Sequence, residues 1–208
     1  MTYQTTPPEF QRQLRSLFAT VRTLLRETRD GRHSVEDYAA HLEGRISALA
    51  RAHEMLMRAP PEGVDLQELV VGELLSQAVP QGRLHVDGPE IRVSRESAAS
   101  LALAFHELTM NALTHGAFAV PAGEIDVTWR AQHERGPAWL LVSWREHGLT
   151  LDGEPPRHKG FGCELIERML PYELSARTSF RLTREGARIE LLIPQTAGTP
   201  IWCPAKNE

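Results

Sequence analysis

Cysteine is scarce in this sequence. The two present, Cys163 and Cys203, stand far apart and have no Cys or His nearby at metal-ligand spacing. Neither a disulfide framework nor a zinc site is expected, and both read as free thiols of a reducing compartment. Long apolar runs are missing too. No stretch approaches the ~20 residues that a membrane-spanning helix requires, and the N-terminal MTYQTTPPEFQRQ has no signal-peptide core. A cytoplasmic chain with no membrane contact is expected. Positive charge is not in excess: 23 Lys and Arg against 27 Asp and Glu give a net charge of -4, without a basic stripe. Nucleic acid is therefore not an expected partner.

What is present suffices for one large domain, or for a helical module joined to a compact α/β domain, since 41% of the 208 residues are hydrophobic. After Pro7-Pro8, apolar residues at Phe10, Leu14, Leu17, Val21 and Leu24 follow one helical stripe. Residues 29–33 break it, and Ser34 with Asp37 resembles a capping box opening a second helix. That helix repeats the rhythm at Leu42, Ile46, Leu49, His53 and Leu56 and ends before Pro60-Pro61. The pair predicts an antiparallel hairpin over 1–60. A lone hairpin cannot bury both stripes, so dimerisation into a four-helix bundle is expected, with packing onto the rest of the chain as the alternative.

From residue 64 the pattern becomes mixed. A helix over 66–78 precedes two short β-like runs at 84–86 and 91–93. Ser94 then caps a long helix whose buried stripe is Ala98, Leu101, Phe105, Leu108 and Ala112, ended by Gly116. Strands are expected at 124–130, 139–144, 178–183 and 187–193, with a helix over 163–170. The order fits an α+β chain with one sheet carrying helices on one face over 64–195, followed by an irregular tail over 196–208.

The long helix carries Glu107, Asn111, Thr114 and His115 at i, i+4, i+7 and i+8, a polar stripe flanking the apolar one. A carboxylate and an amide oxygen so spaced suit a hard Mg²⁺ ion that takes few protein ligands and completes its shell with water and phosphate. A solvated helix face has the same spacing. Gly160-Phe-Gly162 precedes a helix, where a glycine backbone and free N–H groups suit a phosphate, although a GxG is also an ordinary turn. Arg157, His158 and Lys159 place positive charge just upstream. Residues 146–159 have no periodicity and are long for a connection, a feature of functional loops.

Residues 105–117, FHELTMNALTHGA, resemble the N box of histidine kinases in its HELxxNAxxHGA form. Trp144-Arg-Glu146-His-Gly148 looks like the WxE-containing box of the HWE kinases, and residues 159–168, KGFGCELIER, like their second glycine box. The subgroup's His, Trp and Glu match His106, Trp144 and Glu146. The resemblance implies a GHKL-type Bergerat α/β sandwich that binds ATP with Mg²⁺. Asn111 would bind the metal, Glu107 beside it would orient metal, water or phosphate, and His106 joins Glu107 as a candidate catalytic residue. Glu146 would accept from the adenine amino group, Gly148 would let the base approach the backbone, and Lys159, Gly160 and Gly162 would cradle phosphates with His115 nearby, under a lid formed by 149–159.

The hairpin resembles the family's dimerisation and phosphotransfer domain, its second helix matching over GRISALARAHEML from Gly44. In the first helix the family's His-Arg-x-x-Asn element is replaced: Arg12 stands where the phospho-acceptor histidine belongs and Ser16 where the Asn belongs. Arginine stays protonated and is a poor nucleophile, so Arg12 is not expected to take a phosphoryl group. His33, His41 and His53 are the other candidates. The expected function is a sensorless, atypical histidine-kinase-like protein of two-component signalling. It would act with a response-regulator receiver domain or a partner kinase, as a homodimer or heterodimer. A non-catalytic ATP-binding module that sequesters a partner, like the anti-sigma-factor kinases, is the alternative.

Overall fold

The structure, a computed structural model, describes residues 35–133, 138–149, 161–195 and 202–204. The first expected helix, with Arg12 and Ser16, lies outside the described residues, as do His33 in the turn after it and Lys159 and Gly160.

Helix α1 (Val35–Arg58) carries Glu36 and Asp37 in its first turn, where the helix dipole favours acid, and Ser34 of the expected capping box lies outside the described residues. Its buried side differs from the expected stripe. Arg45, Ala48, Leu49, Ala52 and Leu56 are buried, whereas Ile46 is 44% exposed. The helix turns small and charged residues inward because counter-charges on its neighbours receive them, as described below.

A short strand, β1 (Val64–Asp65), ends in Asp65, which caps α2 (Leu66–Ser76) by accepting from the Glu68 N–H at 2.9 Å. After β2 (Leu84–Asp87) and β3 (Ile91–Val93), Ser94 caps α3 (Arg95–Thr114) by accepting from the Ser97 N–H. The expected stripe of α3, from Ala98 to Ala112, is buried throughout, and Ala102, Leu103 and Ala104 are buried beside it. Helix α3 is therefore covered on more than one side.

Strands β4 (Glu124–His133) and β5 (Ala138–His147) form a long antiparallel pair. The helical segment after the loop is longer than expected: α4 (Phe161–Glu164), a π-helical turn (Leu165–Met169) and α5 (Leu170–Leu174). Pro171 accounts for the π turn, since it has no N–H to donate and its ring crowds the preceding turn, and a wider turn accommodates both. Strands β6 (Arg177–Thr183) and β7 (Gly186–Pro194) close the main sheet as a hairpin.

Two sheets form where one was expected. The five-stranded sheet has the order β2-β4-β5-β7-β6, with β2 and β4 parallel and the other pairs antiparallel. The three-stranded sheet, β1-β3-β8, recruits β8 (Trp202–Pro204) from the tail expected to be irregular. Backbone pairing to the open edge of β3 orders those residues, a non-local contact with no local signature. On the large sheet, Ile125, Val127, Trp129, Leu140, Val142, Trp144, Ile189, Leu191 and Ile193 point inward and join α3 in one core cluster. No helix of the described residues is long and apolar enough to cross a membrane.

Candidate functional site

The polar stripe of α3 is graded from buried to open. Glu107 is 7% exposed, Asn111 is half-buried, and Thr114 and His115 are exposed. His115 is the helix C-cap, its N–H donating to the Asn111 carbonyl at 2.8 Å. Gly162, in the first turn of α4, faces the middle of this stripe. A Cβ at position 162 would lie 2.9 Å from Asn111 Nδ2 and 3.5 Å from Glu107 Oε2, so the backbone passes close to both side chains and a larger residue would make the Asn111 amide shift. Glu107, Asn111 and Gly162, far apart in sequence, thus meet at one place.

Glu146, at the end of β5, has its carboxylate 4% exposed. Oε2 accepts from the Ala117 N–H at 3.1 Å, just past the C-terminus of α3, and Oε1 accepts from Trp144 Nε1 at 3.3 Å. Burial raises its pKa above the ordinary carboxylate value, and the donors from Ala117, Trp144 and the Ala187 backbone oppose that rise. Trp144 is a core residue, 2% exposed, and also the donor that orients Glu146. Gly148 has φ +77, a left-handed conformation that a side chain resists, and a Cβ there would strike the Ala122 carbonyl. That carbonyl belongs to a turn clamped by Arg83, whose Nη1 donates to the carbonyls of Val120, Pro121 and Gly123 at 2.5, 3.1 and 3.2 Å. Leu149, the one described residue of the expected lid over 149–159, donates its N–H to the Glu185 carbonyl at 3.4 Å.

His106 is placed on another side of α3. Its ring is 3% exposed and abuts Gly44 of α1, where a Cβ would come within 2.9 Å of Nε2. Gln77 Nε2 lies 3.5 Å from His106 Nδ1, and the ring borders a cavity of about 300 Å³ with Gly44, Gln77 and Met110. Burial, reinforced by Arg51, Arg45 and His41, lowers its pKa from 6.5 to about 4. The imidazole is therefore neutral near pH 7, and its 4.0 Å approach to Glu73 Oε2 is not an ion pair there. His106 belongs to a helix interface and is not gathered with Asn111, Gly162 or Glu146.

Two ion pairs at this interface, one buried and one part-buried, were not expected from the sequence. Arg45 Nε donates to Glu107 Oε1 at 2.6 Å and Nη2 to Oε2 at 3.2 Å. Arg51 grips Glu73 in the same two-point manner, at 3.1 and 2.6 Å. Burial raises the Glu73 pKa, with Arg51 acting against it. The available signal was two arginines spaced among the small residues of α1, Gly44, Ala48 and Ala52, where a solvated arginine would have no reason to sit.

Among the described residues, no group of three or more His, Cys, Asp or Glu is gathered to hold a metal unaided. The donor set of Asn111 with Glu107 fits a Mg²⁺ ion whose other ligands are phosphate and water, and the glycine-lined approach at position 162 fits a phosphate beside it.

Residues 9–90 match the family model described as HWE histidine kinase. The blue-light-activated histidine kinase of Brucella ovis is 28% identical over 189 residues, covering 90% of this chain and 38% of the relative. That of Rhizobium johnstonii is 32% identical over 164 residues, covering 78% of this chain and 46% of the relative. The chain thus spans less than half the length of either. Among solved structures, the Erythrobacter litoralis EL346 blue-light activated histidine kinase superposes with a TM-score of 0.63 at 20% identity, covering 93% of this chain and 62% of that one. The histidine kinase domain of the same protein gives 0.56 at 21% identity, covering 74% of each chain. The mixed α+β fold is that of histidine kinase domains, and the sequence is similar to HWE histidine kinases over residues 9–90.

Proposed function

We propose that this chain is an ATP- and Mg²⁺-binding histidine-kinase-like protein of two-component signalling, working with a response-regulator receiver domain or a complete partner kinase. The observation that carries the reading is the meeting of Glu107 and Asn111 on one face of α3 with the Gly162 backbone. Asn111 would hold Mg²⁺ through its amide oxygen, and Glu107 would order water or phosphate beside it. Glu146, buried between Trp144 and the end of α3, would accept from the adenine amino group, with Gly148 keeping the neighbouring backbone close. Gly162, with Lys159 and Gly160 upstream, would line the phosphates, and His115 stands at the open end of the same stripe. Mg²⁺, when bound, neutralises phosphate charge and polarises the terminal phosphoryl group. In this reading His106 touches no substrate and serves the seat of α1.

The helical segment would supply dimerisation, with a second copy or with a complete kinase. Arg12 in the position of the acceptor histidine favours a second reading, a non-catalytic docking module that keeps nucleotide as a structural ligand. One experiment separates the two. The protein is incubated with γ-labelled ATP and Mg²⁺, alongside Asn111→Ala, and label is mapped by mass spectrometry. Acid-labile label on a histidine, lost in Asn111→Ala, establishes a kinase with a relocated phosphosite. Nucleotide binding without label supports the docking module. Unchanged ATP affinity in a folded Asn111→Ala sinks the site itself.

A further inference from the structure

We infer that Arg45 is a positioning residue for Glu107, supplied to the candidate nucleotide site by helix α1 from outside the sheet domain. The inference rests on the proposed reading of that site. The Arg45 and Glu107 side chains are 5% and 9% exposed, so water does little to screen or replace their contact. The two carboxylate oxygens are held unequally. Oε1 is gripped by Nε at 2.6 Å, whereas Oε2 accepts from Nη2 at the longer 3.2 Å. Oε2 is also the oxygen turned toward Gly162, 3.5 Å from where a Cβ would stand. The guanidinium therefore fixes the plane of the carboxylate from behind and presents one oxygen forward, to the side where Asn111 and the α4 backbone converge.

The rest of α1 is built to hold Arg45 in place. Gly44 lets the helix approach the His106 ring, and buried Ala48 and Ala52 continue the close seat. Arg51 pins α1 to a second helix through Glu73, so α1 is attached to α3 at one point and to α2 at another. A slide or rotation of α1 displaces Arg45 and with it the restraint on Glu107. The helical segment thereby has a direct mechanical line to the site, through one side chain.

The test is a double-variant cycle on the full chain, reading the affinity of a fluorescent ATP analogue with and without Mg²⁺ for wild type, Arg45→Met, Glu107→Gln and the pair. Circular dichroism confirms folding. Arg45→Met is expected to reduce the Mg²⁺-dependent gain in affinity about tenfold, the worth of one charge-assisted hydrogen bond, and to have no further effect once Glu107 is Gln. Arg45→Lys keeps the charge but not the two-point grip and is expected to fall between; it carries the test if Arg45→Met does not fold. Equal losses in both Glu107 backgrounds, or no loss, overturn the proposal while leaving the site intact. Failure of the wild type to bind any nucleotide overturns the underlying reading and this inference with it.

Discussion

Toward the sheet, the core around α3 is built almost entirely from carbon: Ile125, Val127, Leu140, Val142, Trp144, Ile189 and Leu191 are each no more than 2% exposed, and Glu146 is the polar exception. Toward α1 and α2, the same helix meets Arg45, Arg51, Glu73 and Gln77 around its own His106 and Glu107. One contact is cohesive without being directional, and tolerates adjustment as long as volume is kept. The other is directional and fixes which residue stands opposite which, at the cost of burying charge. A domain that keeps its candidate site rigid and receives a helical segment in one register needs both.

The sharpest way to break this comparison is to remove one member of a buried pair. Arg45→Met leaves Glu107 buried without its partner and is expected to cost about 3–5 kcal/mol in urea denaturation. Pairing it with Glu107→Leu is expected to recover most of that loss, since a well-packed apolar pair replaces two desolvated charges. Failure of the second substitution to rescue would show that the contact stabilises through packing alone. The sheet side should behave in the opposite way. Leu140→Ala, at a fully buried position, is expected to cost about 2–5 kcal/mol through lost transfer energy and a cavity, with no single compensating change elsewhere.

The same division explains how much could be read from sequence. The apolar stripe of α3, from Ala98 to Ala112, and the alternation on β5 and β7 are period-driven, and the expected elements appear within a few residues of where they were placed. The motif residues Glu107, Asn111 and Gly162 are brought together, whereas Glu146, expected in the loop after a strand ending at Trp144, stands inside β5, with Gly148 just past its end. What escaped is what depends on two distant segments at once. The buried side of α1 was assigned through Ile46 and His53, whereas the helix turns Arg45 and Ala48 inward because Glu107 receives the arginine, 62 residues away. The tail strand β8 exists only because β3 offers an edge. Neither partner announces itself in its own neighbourhood.

The pH dependence sharpens the helix side further. His106 has its folded-state pKa lowered to about 4 from 6.5, so the folded protein binds fewer protons than the unfolded chain between those values. Its contribution is fully present above the unfolded value and is lost as pH falls from 6.5 toward 4, by at most about 3 kcal/mol. Glu73 and Glu146, raised by burial, act with the opposite sign, because their contribution fades as pH rises through their folded values. The His106 part is therefore read as a difference: the stability gap between wild type and His106→Gln in urea melts should be constant above about pH 6.5 and change as pH falls from there toward 4. Curves that stay parallel between pH 6.5 and 4 would mean that the ring is not buried as described.

The smallest effect concerns a contact that depends on neither side. Ser94 caps α3 through its Oγ, which accepts from the Ser97 N–H at 3.2 Å and lies 2.9 Å from the Ser97 hydroxyl, itself 2% exposed. Asp65 caps α2 in exposed surroundings, with one such bond. Ser94→Ala is expected to cost about 1 kcal/mol, or a melting shift of roughly 2–4 °C for a chain of this size. Asp65→Ala should cost less, because water takes the place of an exposed carboxylate at the freed N–H, whereas the Ser97 hydroxyl loses a partner it cannot replace. If the two losses were equal, the burial of Ser97 would contribute nothing, and the start of α3 would be held by the core beyond it and not by its cap.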